Sequence, residues 1–180
     1  MKNGLILTVA LIAATAVFAQ QKPPASPAAK ESATIAGKTI SITYNAPAVK
    51  GRAGKIFTKD GLISTNPHYP IWRAGANGAT TLKTDGDLMI GDLHVPAGTY
   101  TLFVDISDPA NWTLIINKQN GEWGLAYDAA QDLGKTPMTM AKPPALVENL
   151  KYTIAAGSGS NGTLTLAWEN VSASVAIMVH

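Results

Sequence analysis

The chain has 180 residues, 14 Lys and Arg against 12 Asp and Glu, and no Cys. Its lysines are scattered with no basic run, so neither a nucleic-acid footprint nor a polybasic membrane patch is supported. The missing thiol removes disulfides, thiolate metal sites, a Cys nucleophile and a diacylglyceryl anchor together.

Residues 1–19 read as a signal peptide. Lys2 supplies the positive start, Leu5 to Val17 is an almost unbroken apolar run, and Val17-Phe18-Ala19 fits a cleavage site, which predicts cutting after Ala19. The run spans about 13 residues against the roughly 20 that cross a bilayer, so no transmembrane segment is expected in the mature chain. The expected location is periplasmic or secreted. Gln20 to Ser32, rich in Pro, Ala and Lys without a large apolar side chain, reads as a flexible spacer before one domain over residues 33–180.

From Thr34 onward the period is two. Ile40, Ile42 and Tyr44 alternate with Thr39, Ser41 and Thr43, and Tyr100, Leu102, Val104 and Ile106 share one face of the clearest strand. Those four are expected inside, with Thr101 and Asp105 more exposed. Trp112, Leu114 and Ile116 repeat the pattern, as do Thr163 to Trp168 and Val171 to Val179. Asp85-Gly86, Gly91-Asp92, Pro96-Ala97-Gly98 and Gln119-Asn120-Gly121 punctuate these runs as turns. In the third, Gly98 is expected at positive φ. The best helical candidate, Leu125 to Leu133, is one or two turns at most. About nine or ten short strands without helical periods predict an all-β, single-domain antiparallel β-sandwich, with a closed antiparallel barrel as the alternative.

Two stretches break the alternation: Lys50 to Gly61, and His68 to Asn77. Both arginines, Arg52 and Arg73, fall there. A planar five-donor fork suits fixed recognition of a carboxylate or phosphate better than an ammonium does. With Trp72 and Asn77 they form the candidate ligand site, for a small anionic or carbohydrate ligand. The competing reading makes the arginines braces that tie loops to the sandwich through backbone carbonyls, with Glu169 or an Asp as counter-ion. Trp112 and Trp168 are in phase with core residues; Trp72 and Trp123, beside Gly-rich turns, are the candidates for stacking.

Recognisable catalytic routes are missing from the sequence, which has no Gly-x-Ser-x-Gly, Ser-x-x-Lys or His-Glu-x-x-His motif. Glu169 is the most plausible catalytic acid, although a Glu after Trp168 at a strand end is more commonly solvated or salt-bridged. His68, His94 and His180 have no ligand partner at short spacing, so no metal is expected, and nothing calls for a cofactor.

The motifs taken in order resemble one family. Tyr44-Asn45-Ala46-Pro47 with Gly51-Arg52 and Ile56-Phe57, then Trp72 to Asn77 with Ala79-Thr80, Pro96 to Phe103, Trp112 to Asn117, Trp123-Gly124 and Leu166 to Glu169 resemble DUF2911, a family of exported bacterial proteins of unknown function. The likeness covers Ser32 to Val179. It implies a secreted or periplasmic β-rich domain and brings no catalytic residues. His68-Tyr69-Pro70-Ile71 stands where members often carry a Tyr-Gly turn. The resulting expectation is an exported, non-catalytic binding or envelope-associated module. The alternatives are a periplasmic enzyme acting on a small anionic or carbohydrate substrate, and a purely structural envelope protein.

Overall fold

The computed structural model describes residues 25–121 and 123–180; the leader, its cleavage after Ala19 and the first part of the spacer lie outside them. The strands, in chain order, are β1 (Ala28–Ile35), β2 (Lys38–Asn45), β3 (Ile71–Trp72), β4 (Thr80–Thr84), β5 (Leu88–Ile90), β6 (Leu93–Val95) and β7 (Gly98–Asp105). They continue as β8 (Thr113–Asn117), β9 (Asp132–Pro137), β10 (Thr139–Ala141), β11 (Val147–Ala156), β12 (Asn161–Glu169) and β13 (Val171–Val179). One sheet runs β1-β2-β4-β7-β8-β9 with β3 beside β7; the other runs β11-β12-β13-β5-β6 with β10 beside β13, and every pairing is antiparallel. The two open sheets pack face to face as a sandwich, not as a closed barrel.

Alternation places the core as expected on β2, where Ile40, Ile42 and Tyr44 are buried, and on β7, where Tyr100, Leu102 and Val104 join Ile106 just beyond the strand. The expectation for Thr101 fails: it is only 1% exposed. Strand β7 is central, and its other face is roofed by the chain between β8 and β9. There the Thr101 hydroxyl donates to the Gln119 carbonyl at 2.7 Å, and Phe103 meets Tyr127 edge-on at 4.8 Å. Asp105, at the strand end, is half-buried.

Two further expectations are corrected. Strand β1 begins at Ala28, inside the stretch read as spacer through Ser32. Small and polar residues suffice there because β1 is an edge strand whose whole length pairs with β2, through main-chain bonds that need no large side chain. Its hairpin turns on Ala36 and Gly37, at φ 48° and 78°, the two left-handed residues of a type I′ turn. Gly98 is not in the left-handed region. It opens β7, and its lack of a side chain leaves room: a Cβ there would crowd the Tyr100 ring at 3.2 Å, whose hydroxyl donates to the Pro96 carbonyl at 2.9 Å. The helical candidate Leu125 to Leu133 holds one turn, within the one or two expected: a 3-10 turn over Ala129–Gln131, capped by the Asp128 carboxylate accepting from the Ala130 N–H, before β9 begins.

Candidate functional site

Strands β2 and β4 pair directly, Ile40 with Thr84 through Thr43 with Thr81, so residues 46–79 are one long excursion from a single hairpin. Its first half is pinned to the opposite sheet. The Val49 N–H donates to the Glu148 carbonyl at 2.7 Å, and the Lys50 N–H to the Glu148 carboxylate at 2.9 Å. Lys50, Gly51 and Gly54 all take positive φ, so the chain coils tightly here. Glu169, 5% exposed at the end of β12, accepts from the Gly54 N–H. Its carboxylate therefore holds a loop, but through a main-chain N–H and not as the counter-ion of an arginine that the bracing alternative expected. From the same loop Phe57 inserts edge-on among Trp72, Trp112 and Trp168, at centroid distances of 5.4, 4.9 and 5.6 Å.

Arg52 lies in the coiled segment and turns back on it: Nε donates to the Val49 carbonyl at 2.9 Å and Nη2 to the Ala48 carbonyl at 2.7 Å. This is the bracing geometry. Arg73 is placed differently. It follows the short strand β3, whose pairing with Val104 and Asp105 of β7 carries Trp72 into the core. It precedes Ala74, which is fully buried at φ 50°. The Ala74 carbonyl accepts from the Tyr152 hydroxyl at 2.9 Å and the Thr80 hydroxyl at 3.1 Å, which fixes the backbone next to the guanidinium. Arg73 is half-buried, and burial pulls its pKa below the ordinary arginine value. Its one hydrogen bond to a described residue, Nη1 to the Asn77 carbonyl, is 3.3 Å long, beyond the usual range.

These arginines meet across one cavity of about 430 Å³, and Arg52, Trp72, Arg73 and Asn77 all line it. Lys50 adds a third cation, and no Asp, Glu or His is among its described lining residues. Neutral polar side chains come from Ser26, Thr65 and Asn66, and apolar wall from Leu62, Ile63 and Leu125. Ser26 is held there through its carbonyl, which accepts from the Asn45 side chain at 3.2 Å.

The stacking role expected of Trp72 is corrected. It is 1% exposed, and its ring is stacked on Trp168 at 5.9 Å and 19°, so its face is already occupied. The indole N–H groups of Trp72 and Trp168 are buried without a hydrogen-bond partner among the described residues. Trp123, the other stacking candidate, is 60% exposed. It bridges Gly78, and the next N–H, of Gly124, donates to the Asn77 carbonyl at 3.2 Å. Sequence reasoning missed Lys50, Asn66 and Ser26, since nothing local marks them; Trp168, assigned to the core, is both core and lining. Among the described residues no group of three or more His, Asp or Glu could hold a metal ion, and no helix is long and apolar enough to cross a membrane.

No curated protein and no solved structure is significantly similar to the chain. The profile of DUF2911, described as a protein of unknown function, matches residues 26–177. That span takes in both sheets, the whole 46–79 excursion and every residue lining the cavity except Ala25, so the chain belongs to the DUF2911 family.

Proposed function

We propose that this domain is an exported, non-catalytic binding module that recognises a small anionic ligand in the Arg52–Arg73 cavity. One observation carries the reading: three cationic side chains and, among the described residues, no carboxylate line a single cavity. A guanidinium drawn out of water is unfavourable unless an anion or several acceptors compensate it. Arg73 is partly desolvated and has, among the described residues, one long bond to a carbonyl, so a ligand carboxylate or phosphate supplies what its fork is missing. The cavity volume falls at the small end of the range usual for ligand pockets, roughly 300–1,000 Å³. Export rests on the leader-like residues 1–19. The reading is non-catalytic because the described lining offers cations and amides but no imidazole or carboxylate to act as general base.

Arg52 and Arg73 divide the two roles weighed from sequence. Arg52 braces its own loop while lining the cavity, and Arg73 presents the less committed fork. The test is the melting temperature of the purified protein with a panel of sugar acids, phosphates and short glycans. A ligand at 100 times its Kd stabilises by about 2.7 kcal/mol, which for a domain of this size is a shift of roughly 5–11 °C. Arg73→Lys is expected to melt near wild type and to lose most of that shift. A panel without effect on wild type, together with a destabilised Arg73→Lys, would make Arg73 a brace and end the proposal.

A further inference from the structure

The choice of anion can be narrowed, resting on the reading just given. We infer that the cavity takes the terminal uronic-acid residue of a glycan, and that Trp123 carries the adjoining sugar ring.

The first argument is the number of uncommitted donors. Nε and Nη2 of Arg52 are already spent on Val49 and Ala48, which leaves Arg73, among the described residues, as the largely open fork. Two parallel N–H groups match the two coplanar oxygens of a carboxylate, which one fork satisfies, whereas a phosphate presents a third oxygen out of that plane. The second argument is the remaining lining. Ser26, Thr65, Asn66 and Asn77 both donate and accept, as a ligand rich in hydroxyl groups requires, and Leu62, Ile63 and Leu125 offer apolar surface to the C–H faces of a sugar ring.

The third argument is Trp123, which is independent of the cavity lining. At 60% exposure it is the most exposed large hydrophobic residue described, and an indole left in water is an unfavourable use of the largest apolar side chain. The exposure is local to the site. Trp123 bridges Gly78, one residue from Asn77; Leu125, two residues on, lines the cavity. Between them Gly124 lies so close that a Cβ there would be 2.6 Å from Arg73 Cδ and 2.7 Å from the Asn77 carbonyl oxygen. Glycine is what lets this segment press against Arg73, and the same contact sets Trp123 one residue outside the wall. A ring bonded to a sugar held at Arg73 has this indole within its neighbourhood as a flat apolar platform.

Isothermal titration with galacturonic acid, its dimer and trimer, a neutral galactose disaccharide, inorganic phosphate and a short Glu-rich peptide tests this directly. On wild type the dimer is expected to bind about 10-fold more tightly than the monomer, in line with stacking of one further ring on an aromatic face, and the neutral disaccharide not measurably. Trp123→Ala should leave the monomer affinity unchanged and abolish the gain from the second ring; Arg73→Lys should weaken both acids by 10-fold or more. Equal affinity for monomer and dimer, or a dimer gain that survives Trp123→Ala, overturns the inference. Phosphate or peptide binding that depends on Arg73, with no uronate binding, also overturns it and leaves the anion-binding reading standing. Absence of any anion binding ends both.

Discussion

Ala74 sits in the chain between Arg73 and Gly75, which both line the cavity, so the bonds that hold its carbonyl help decide how firmly the site is built. Ala74 is fully buried, and its oxygen accepts from Tyr152 at 2.9 Å and from Thr80 at 3.1 Å. Burial, with a further contribution from nearby Tyr44, pushes the Tyr152 phenol far above its ordinary pKa, so it remains a neutral donor. Tyr152→Phe removes one donor while Thr80 still satisfies the carbonyl, a net loss of about 1 kcal/mol; Thr80→Val mirrors it at a similar cost. Removing both leaves a buried carbonyl with neither donor, which adds about 1–3 kcal/mol of unmet desolvation. The double variant is therefore expected to lose about 3–5 kcal/mol, with a coupling of about 1–3 kcal/mol beyond the single variants. Urea unfolding of the four proteins reads this as shifts in midpoint at constant m. A double variant that matches the sum of the singles within about 0.5 kcal/mol would refute the shared-acceptor account of the wall.

Two further outcomes follow from the same geometry. Arg52→Lys should cost about 1–2 kcal/mol, because a single ammonium cannot reproduce the in-plane bonds to both Val49 and Ala48, whereas Arg73→Lys should stay within about 0.5 kcal/mol of wild type; equal losses in urea melts would contradict the division of roles. The fold should also weaken in alkali: burial raises the phenol pKa values of Tyr127, also bonded to Asp132, and of Tyr152. Both keep their protons in the folded chain after unfolded tyrosines, with pKa near 10, have lost theirs. Their contribution is then complete below about pH 10 and is lost as pH climbs toward the folded values. Urea midpoints at pH 8 and 11 should show the fall, smaller in Tyr152→Phe, and an unchanged midpoint in wild type would contradict it.

The sandwich was legible where alternation and burial coincide. On β2 the inward residues are apolar and the outward ones polar, so period two alone orients the strand. On β7 the same logic gives Tyr100, Leu102 and Val104 correctly and fails at Thr101, because a threonine covered by a loop reads the same as one in water. Gly98 shows a related limit. A glycine after Pro-Ala suggests turn geometry, yet here it clears a tyrosine ring two residues on, a contact that depends on side-chain direction. The start of β1 was hidden for another reason: an edge strand held by main-chain bonds needs little from its side chains, and Ala28 to Ser32 carries no apolar signature.

The site was legible as a departure from that order. Gly, Pro and both arginines break the period between Asn45 and Thr80, and irregular chain on a regular scaffold is where binding groups collect. Hidden from a linear reading was the closure of this stretch by direct pairing of β2 with β4. A tight turn would satisfy that pairing; long connections of this kind inside compact domains are uncommon and are associated with function. Closing a longer loop costs little extra entropy, but ordering it demands dedicated contacts, and they are present: Glu169 on Gly54, Glu148 on Val49 and Lys50, Phe57 among three tryptophans. The strand pairing of β2 with β4 requires none of these contacts. They fix the residues around the cavity, bringing Arg52 and Arg73 from opposite halves of the excursion to one wall-lined space, and that is why the alternation of the sheets explains the scaffold while the excursion alone explains the site.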